Sequence, residues 1–347
     1  ITAMVAVGLL LLVALWTGWN ERRRLDWLPL FGVALSLGLS AFYWAPALLG
    51  RGNSRSARRG AIGTVCQDLE RRAADAGARM EGDLLRAHAQ IAGDPALSTI
   101  LLTCLGGYLS AGGAGAINHY FDRDIDAKMA RTADRPVPSG RVSPRAALGF
   151  GIILAAVAAV ELAVFVNPLA ALLSMMGFFG YVLVYTLWLK RTTPQNIVIG
   201  GAAGAMPPLV GWAATTGRLA PTALFLFAIV FYWTPPHFWA LSLLMKEEYA
   251  KVGVPMLPVV RGEAETRRQI MLYTLLLVAL TVLPFAAGMF GTLYLAAALG
   301  LGGAFIALAA ILVRRADRRT ALTVYLYSLA YLALLFTAMV IDTRIGS

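Results

Sequence analysis

Three side chains able to hold a divalent cation recur at every fourth position in Asn118-His-Tyr-Phe-Asp122-Arg-Asp124-Ile-Asp126, where a long apolar run gives way to a basic segment. On an α-helix a step of four turns a side chain by only about 40°. Asn118, Asp122 and Asp126 therefore share one face, while Asp124 points elsewhere. Carboxylate and amide oxygens suit Mg²⁺, which keeps several waters and bridges to phosphate oxygens in preference to an all-protein cage. Cations follow at once in Lys128, Arg131, Arg135 and Arg141, and arginine can grip phosphate oxygens with two parallel donors. The pattern predicts a site for a metal and a diphosphate. The plainer reading is that helix-end acids balance neighbouring bases that only set topology. Acids at a membrane boundary are costly enough to favour a functional role.

The elements that must position these groups are membrane helices. Hydrophobic residues make up 59% of the 347, and the mean hydropathy is +0.68. Several apolar runs reach roughly the 18 residues a spanning helix needs. Spans are expected near residues 1–18, 27–50, 96–117, 145–166, 169–189, 196–215, 219–241, 269–289, 293–314 and 320–341. The fold class is therefore all-α, a polytopic transmembrane helical bundle of about ten spans. The first run lacks a preceding basic region and a small-residue cleavage site, so it reads as a span and not as a signal peptide.

A net charge of +11 would suggest nucleic acid in a soluble protein. Here most Lys and Arg sit in short loops, where they orient spans and meet anionic headgroups, and no nucleic-acid role follows. Basic connections after the spans at 96, 169, 219 and 293 alternate with nearly neutral ones around Asn167, Thr215 to Leu219 and Gly291. The positive-inside rule then puts every large loop from residue 118 onward on the cytoplasmic side. Cys66 and Cys104 are too few and too differently placed for a metal cluster or a disulfide.

At Asn118-x3-Asp122-x3-Asp126 followed by Arg135-Pro-Val-Pro-Ser-Gly140 the sequence resembles the first signature of the UbiA-type intramembrane prenyltransferases. Three further strings are similar to the heme O synthase branch of that superfamily. They are Tyr185-Thr-Leu-Trp-Leu-Lys190-Arg191-Thr-Thr-Pro194-Gln-Asn196, Trp233-Thr-Pro-Pro-His237-Phe-Trp239-Ala-Leu and Gly253-Val-Pro-Met-Leu-Pro258. The resemblance runs from about residue 96 to 341, which marks a prenyltransferase domain.

The resemblance implies a bundle whose cavity opens toward membrane lipid, in a bacterial cytoplasmic membrane. It implies Mg²⁺-dependent transfer of the farnesyl chain of farnesyl diphosphate to a vinyl group of heme B, which is substrate and not cofactor. The product would be heme O, with heme A synthase or terminal oxidase assembly as downstream partners. It also assigns Asn118, Asp122 and Asp126 to catalysis and metal binding, and Lys128, Arg131, Arg135, Lys190 and Arg191 to the diphosphate. A UbiA-type enzyme for a quinone or chlorin precursor is the second reading. A noncatalytic heme-binding or transport protein is the third.

Several residues carry two readings. Lys190 and Arg191 either touch substrate or snorkel at a helix end. Where the superfamily has two Asp before the glycine matching Gly253, this chain has Met245 and Tyr249, with Glu247 and Glu248 between them; at least one of the two glutamates is expected on the metal. His237 follows Pro235-Pro236, a pair that disturbs backbone pairing and so favours a pocket wall. Its imidazole is expected to meet the heme iron or a propionate. Tyr185 with Tyr181, and Trp233 with Trp239, either line a farnesyl or porphyrin channel or simply pack. Gly200-Gly201-Ala-Ala-Gly204 and Ala111-Gly-Gly-Ala-Gly115 read as close helix packing.

Residues 1–95 depart from the resemblance. Two spans at 1–50 precede a polar, Arg- and Ala-rich segment at 51–95, and the Thr-Lys-Pro-Arg-like entrance expected before residue 96 is missing. A frame-shifted reading, a fusion, or an amphipathic surface helix at 67–92 (Leu69, Ala73, Ala76, Met80, Leu84) would each account for it.

Overall fold

The structure is a computed structural model and describes residues 96–345. In chain order the helices are α1 (Leu97–Phe121), α2 (Arg123–Asp126), α3 (Pro144–Phe165) and α4 (Pro168–Phe179). A π-helical stretch, Gly180–Leu189, continues α4 into the single turn α5 (Lys190–Thr192). Then come α6 (Asn196–Gly204), α7 (Pro207–Thr216), α8 (Pro221–Leu244), α9 (Lys246–Lys251), α10 (Leu257–Val260), α11 (Gly262–Ala286), α12 (Thr292–Arg315) and α13 (Arg318–Ile345). Taken with their continuations, eight of these among the described residues are long and apolar enough to cross a membrane. The expected spans at 1–18 and 27–50, the polar segment with Cys66 and the amphipathic alternative at 67–92 lie outside the described residues.

Local chemistry sets the boundaries. Ser143 accepts from the Ala146 N–H at 3.2 Å, and Pro144 opens α3. Asn167 accepts from Ala170 N at 2.8 Å ahead of Pro168, and its amide also donates to the Ala213 carbonyl of α7 at 2.8 Å. Both are side-chain caps with proline at the first helical position, where its missing N–H does no harm. The span expected at 196–215 is present as Asn196–Thr216, but its helix is interrupted, because Pro207 and Pro208 lack the N–H groups that would continue α6 into α7. The span expected at 269–289 starts earlier, at Gly262, with Glu263 and Glu265 in its first turn, where acids complement the helix dipole.

The bundle is glued by small residues and filled around α8. A Cβ on Gly151 of α3 would lie 2.7 Å from the Gly113 carbonyl oxygen of α1, so these helices touch backbone to backbone. The α8 helix packs against α6, α11 and α13. Ile229 of α8 is sealed, with Ile270, Leu277, Phe305, Tyr331 and Leu335 of the neighbouring helices in the same core. Outward faces carry Phe150, Ile153, Val164 and Trp188, as a lipid-facing surface should. The chain is an integral membrane protein. At the end opposite the 127–143 loop, Asp342 of α13 accepts from the backbone N–H groups of Gly291 and Tyr294, capping α12 from the helix packed beside it.

Gly151→Val should overpack the α1–α3 contact and destabilise the protein by about 1–3 kcal/mol. In detergent this would appear as earlier loss of monodisperse protein on heating. Gly149→Val, where nothing among the described residues lies within 4 Å of the added carbon, should leave the melting behaviour unchanged.

Candidate active site

Asn118, Asp122 and Asp126 come together on one face, but not on one continuous helix. The α1 helix ends at Phe121, and Asp122 leaves helical geometry at φ −91°, ψ 6° before α2 begins. The bend keeps the four-residue bonds on either side, Asp122 N to Asn118 O at 2.8 Å and Asp126 N to Asp122 O at 2.7 Å. Asn118 is 6% exposed, Asp122 0% and Asp126 2%.

Buried carboxylates need compensating partners, and each has them. Asn118 donates to Asp122 Oδ2 at 2.6 Å and to Thr186 Oγ1 at 3.2 Å. The Lys190 ammonium bonds Asp122 Oδ2, and Arg135 donates to Asp126 Oδ2 at 2.8 Å. The Thr132 hydroxyl donates to the Asp126 carbonyl at 3.0 Å, folding the loop back over α2.

The π-helical stretch delivers the groups from the other side. Its i→i+5 pattern bonds the Lys190 N–H to the Tyr185 carbonyl, and the Tyr181 and Tyr185 rings stack at 5.4 Å. Gly200 makes room: a Cβ there would sit 2.5 Å from the Tyr185 ring. The glycine stripe thus packs a helix against a site residue.

Arg191 lies beside Lys190 but grips Asp124. Its guanidinium donates to both Asp124 oxygens at 2.8 and 2.7 Å and to the Phe121 carbonyl at 2.7 Å, with Asp122 Oδ1 further off at 3.5 Å. It latches the end of the π stretch to the bend at Asp122. The Arg191 hydrogen bonds, above all, hold the Asp124 carboxyl down at about 2. Lys128 and Arg131 are exposed and carry no ion pair among the described residues. The Arg131 charge reaches Tyr185, Tyr249 and Tyr325, on three different parts of the chain. Burial raises the Tyr249 phenol, with Arg131 and Arg135 opposing.

The two glutamates separate. Glu248 accepts from the Ala130 N–H at 3.2 Å and from Lys251 at 3.1 Å, and Lys251 is the larger cause of its lowered pKa. Glu247 is exposed, and no bond ties it to the loop. Among the described residues no three His, Cys, Asp or Glu gather closely enough to hold a metal ion. The oxygen-rich face therefore consists of Asn118, Asp122 and Asp126, with Glu248 joined to it through the loop.

His237 is buried in α8 between two rings, Trp233 at 4.3 Å and Tyr325 at 4.8 Å, with Nδ1 2.7 Å from Ser328 Oγ. Trp239 is sealed and packs edge-on against Tyr273. Cys104 is a free thiol. Sequence reasoning missed Thr186 and Ser328, which are isolated hydroxyls in apolar runs with no spacing to mark them. It also missed Tyr325. In the sequence Tyr249 stands out only as a departure from the superfamily pattern.

The fold is a membrane-embedded helical bundle with a buried Asn–Asp–Asp face beneath a basic loop. The chain belongs to the UbiA prenyltransferase family, whose sequence profile matches residues 86–337. It is 57% identical over 254 residues to a protoheme IX farnesyltransferase of Roseiflexus castenholzii, covering 73% of this chain and 48% of that one. It is 49% identical over 252 residues to that of Methylococcus capsulatus, covering 73% and 85%. The chain thus spans about half the length of the first relative and most of the second.

Among solved structures it is similar to the apo form of a UbiA homolog from Aeropyrum pernix K1, with a TM-score of 0.61, 18% identity, and coverage of 89% of this chain and 98% of that one. A UbiA homolog from Archaeoglobus fulgidus bound to DMAPP and Mg²⁺ gives a TM-score of 0.51 at 17% identity, covering 71% and 89%. At these identities the likeness shows the fold.

Because Asp124 is depressed in the folded state, the stabilisation its ion pair supplies is fully present above the ordinary carboxylate range near 4 and is lost as pH falls through about 2. Proteolytic protection of residues 123–135 should stay constant from roughly pH 9 to pH 4. Asp124→Asn should reduce that protection already at neutral pH.

Proposed function

We propose that this protein transfers the farnesyl chain of farnesyl diphosphate to a vinyl group of heme B, producing heme O, with Mg²⁺ required. The observation that carries the reading is the division of cations at the site. Asp122 and Asp126 are buried and held by Lys190 and Arg135, while Lys128 and Arg131 stand exposed on the same loop without acidic partners among the described residues. The names of the close relatives supply the farnesyl chain and the heme, and the strings around Tyr185, His237 and Gly253 support the same assignment.

The donor set fits Mg²⁺, since it is all oxygen: Asp122, Asp126 and Asn118 would hold the ion, with Glu248 beside the loop. When bound, Mg²⁺ would supply charge stabilisation for the departing diphosphate.

The chain's own groups do the rest. Lys128, Arg131 and Arg135 bind the diphosphate oxygens, and Arg can hold two at once. Lys190 serves Asp122 and the diphosphate in turn, whereas Arg191 acts through Asp124. Thr186 positions the Asn118 amide, and Tyr185 with Tyr181 forms an aromatic wall for the allylic chain. The carbon–oxygen bond to diphosphate breaks. The terminal vinyl carbon of the heme then forms the new carbon–carbon bond, and water adds to the adjacent carbon and loses a proton. Apolar walls exclude water until that last step.

By charge alternation the loops face the cytoplasm. Membrane lipid surrounds the bundle, and heme A synthase or a terminal oxidase would take the product.

The test is incubation of the purified protein in lipid with heme B, farnesyl diphosphate and Mg²⁺, following heme O by mass. Product should vanish with EDTA. It should fall about 100-fold or more in Asp122→Asn, the scale seen when one group that stabilises developing charge is removed. Product formation indifferent to both changes would sink the assignment.

A further inference from the structure

Ser328 of α13 is fully buried and meets α8 twice. Its carbonyl accepts the Trp233 indole N–H at 2.7 Å, and its hydroxyl oxygen lies 2.7 Å from His237 Nδ1. The same hydroxyl lies 2.6 Å from the carbonyl oxygen of Tyr325. A serine hydroxyl has a single proton and a carbonyl can only accept, so that proton goes to Tyr325 O. His237 must then donate from Nδ1 to Ser328 Oγ. The neutral imidazole is thereby fixed as the Nδ1–H tautomer, with its lone pair on Nε2.

The rest of the ring is closed off. Trp233 covers one face, with an interplanar angle of 17°, and Tyr325 stacks on the ring at 26°. Nε2 has no hydrogen-bond partner among the described residues. It is also absent from the sealed, unpaired polar atoms, which belong to Glu161, Asn196, Trp212, Trp239 and Tyr331. His237 precedes the end of α8 by seven residues, which sets it roughly 10 Å into the bundle at 1.5 Å per residue. Its stacking partner Tyr325 lies within reach of the Arg131 charge.

We infer that His237 Nε2 is an axial-ligand position for the iron of a porphyrin, and that Ser328 is the positioning residue that fixes the tautomer and ring orientation. The inference rests on the reading of heme as the acceptor substrate. A histidine that ligates metal through one nitrogen while the other donates a hydrogen bond is the usual arrangement for holding the ring and raising its basicity. The two rings that grip the imidazole leave it no other route to a ligand than its Nε2 edge.

The experiment uses the whole protein in lipid nanodiscs, titrated with ferric heme B alone and followed by its absorption and resonance Raman spectra. Wild type should bind saturably with the signature of imidazole-ligated iron. His237→Ala should lose that signature, and added imidazole should restore it. Ser328→Ala should weaken heme binding by about 10- to 100-fold, the range for losing an outer hydrogen bond to a metal-binding histidine. Ser328→Thr, which keeps the hydroxyl, should bind as wild type does. A wild-type spectrum retained in His237→Ala would overturn the ligand assignment and leave the acceptor reading standing. Failure of wild-type protein to bind heme saturably would overturn both.

Discussion

Two buried carboxylates at a membrane boundary constrain everything around them. An ionised carboxylate taken from water into an apolar setting is strongly destabilising unless partners replace the lost hydration. Asp122 and Asp126 are both essentially sealed, so the fold must bring cations and donors to them from elsewhere in the chain. Lys190 arrives from a helix 68 residues away in sequence, and Arg135 from a loop that turns back through Thr132. The α1 bend, the π stretch and the 127–135 loop all meet this single electrostatic demand.

The helices are irregular where the demand is met. The α1 helix bends at Asp122, the continuation of α4 widens into a π-helix, and α8 carries Pro235 and Pro236 next to His237. At membrane depth such departures leave backbone groups to be satisfied by protein or by a cavity, so they persist where neighbouring helices surround them. A regular α-helix over 180–189 would turn Lys190 away from the face of Tyr185. The π stretch trades poorer backbone bonding for an alignment that an α-helix cannot give.

This explains what the sequence made legible. The eight described spans follow from apolar run lengths, and the Asn118, Asp122 and Asp126 face follows from a spacing of four that survives the bend. Lys190 and Arg191 look interchangeable as neighbours at a helix end, yet the fold gives one to Asp122 and the other to Asp124. That choice depends on a π-helical register that apolar residues 180–189 do not advertise. Glu247 and Glu248 are likewise equal in sequence. Only the rotation of the short α9 helix turns Glu248 to the Ala130 N–H. Thr186 and Ser328 were invisible because a lone hydroxyl inside an apolar run most often satisfies its own helix backbone. Ser328 does so through Tyr325, and its role toward His237 comes from using the remaining lone pair.

The cations at the site therefore fall into three kinds, and the difference follows from geometry more than from charge. Arg191 is held by three acceptors from one short segment, a set its planar fork matches closely. Moving it to an incoming anion would break all of them at once. Lys190 holds Asp122 as a compact point charge on a flexible stem, so it can shift toward a neighbouring anion while staying near the carboxylate. Among the described residues Lys128 and Arg131 have no ion pair to give up. Any anion entering this face would meet ready cations first, a transferable one next, and last a fixed one tied to Asp124 and Phe121.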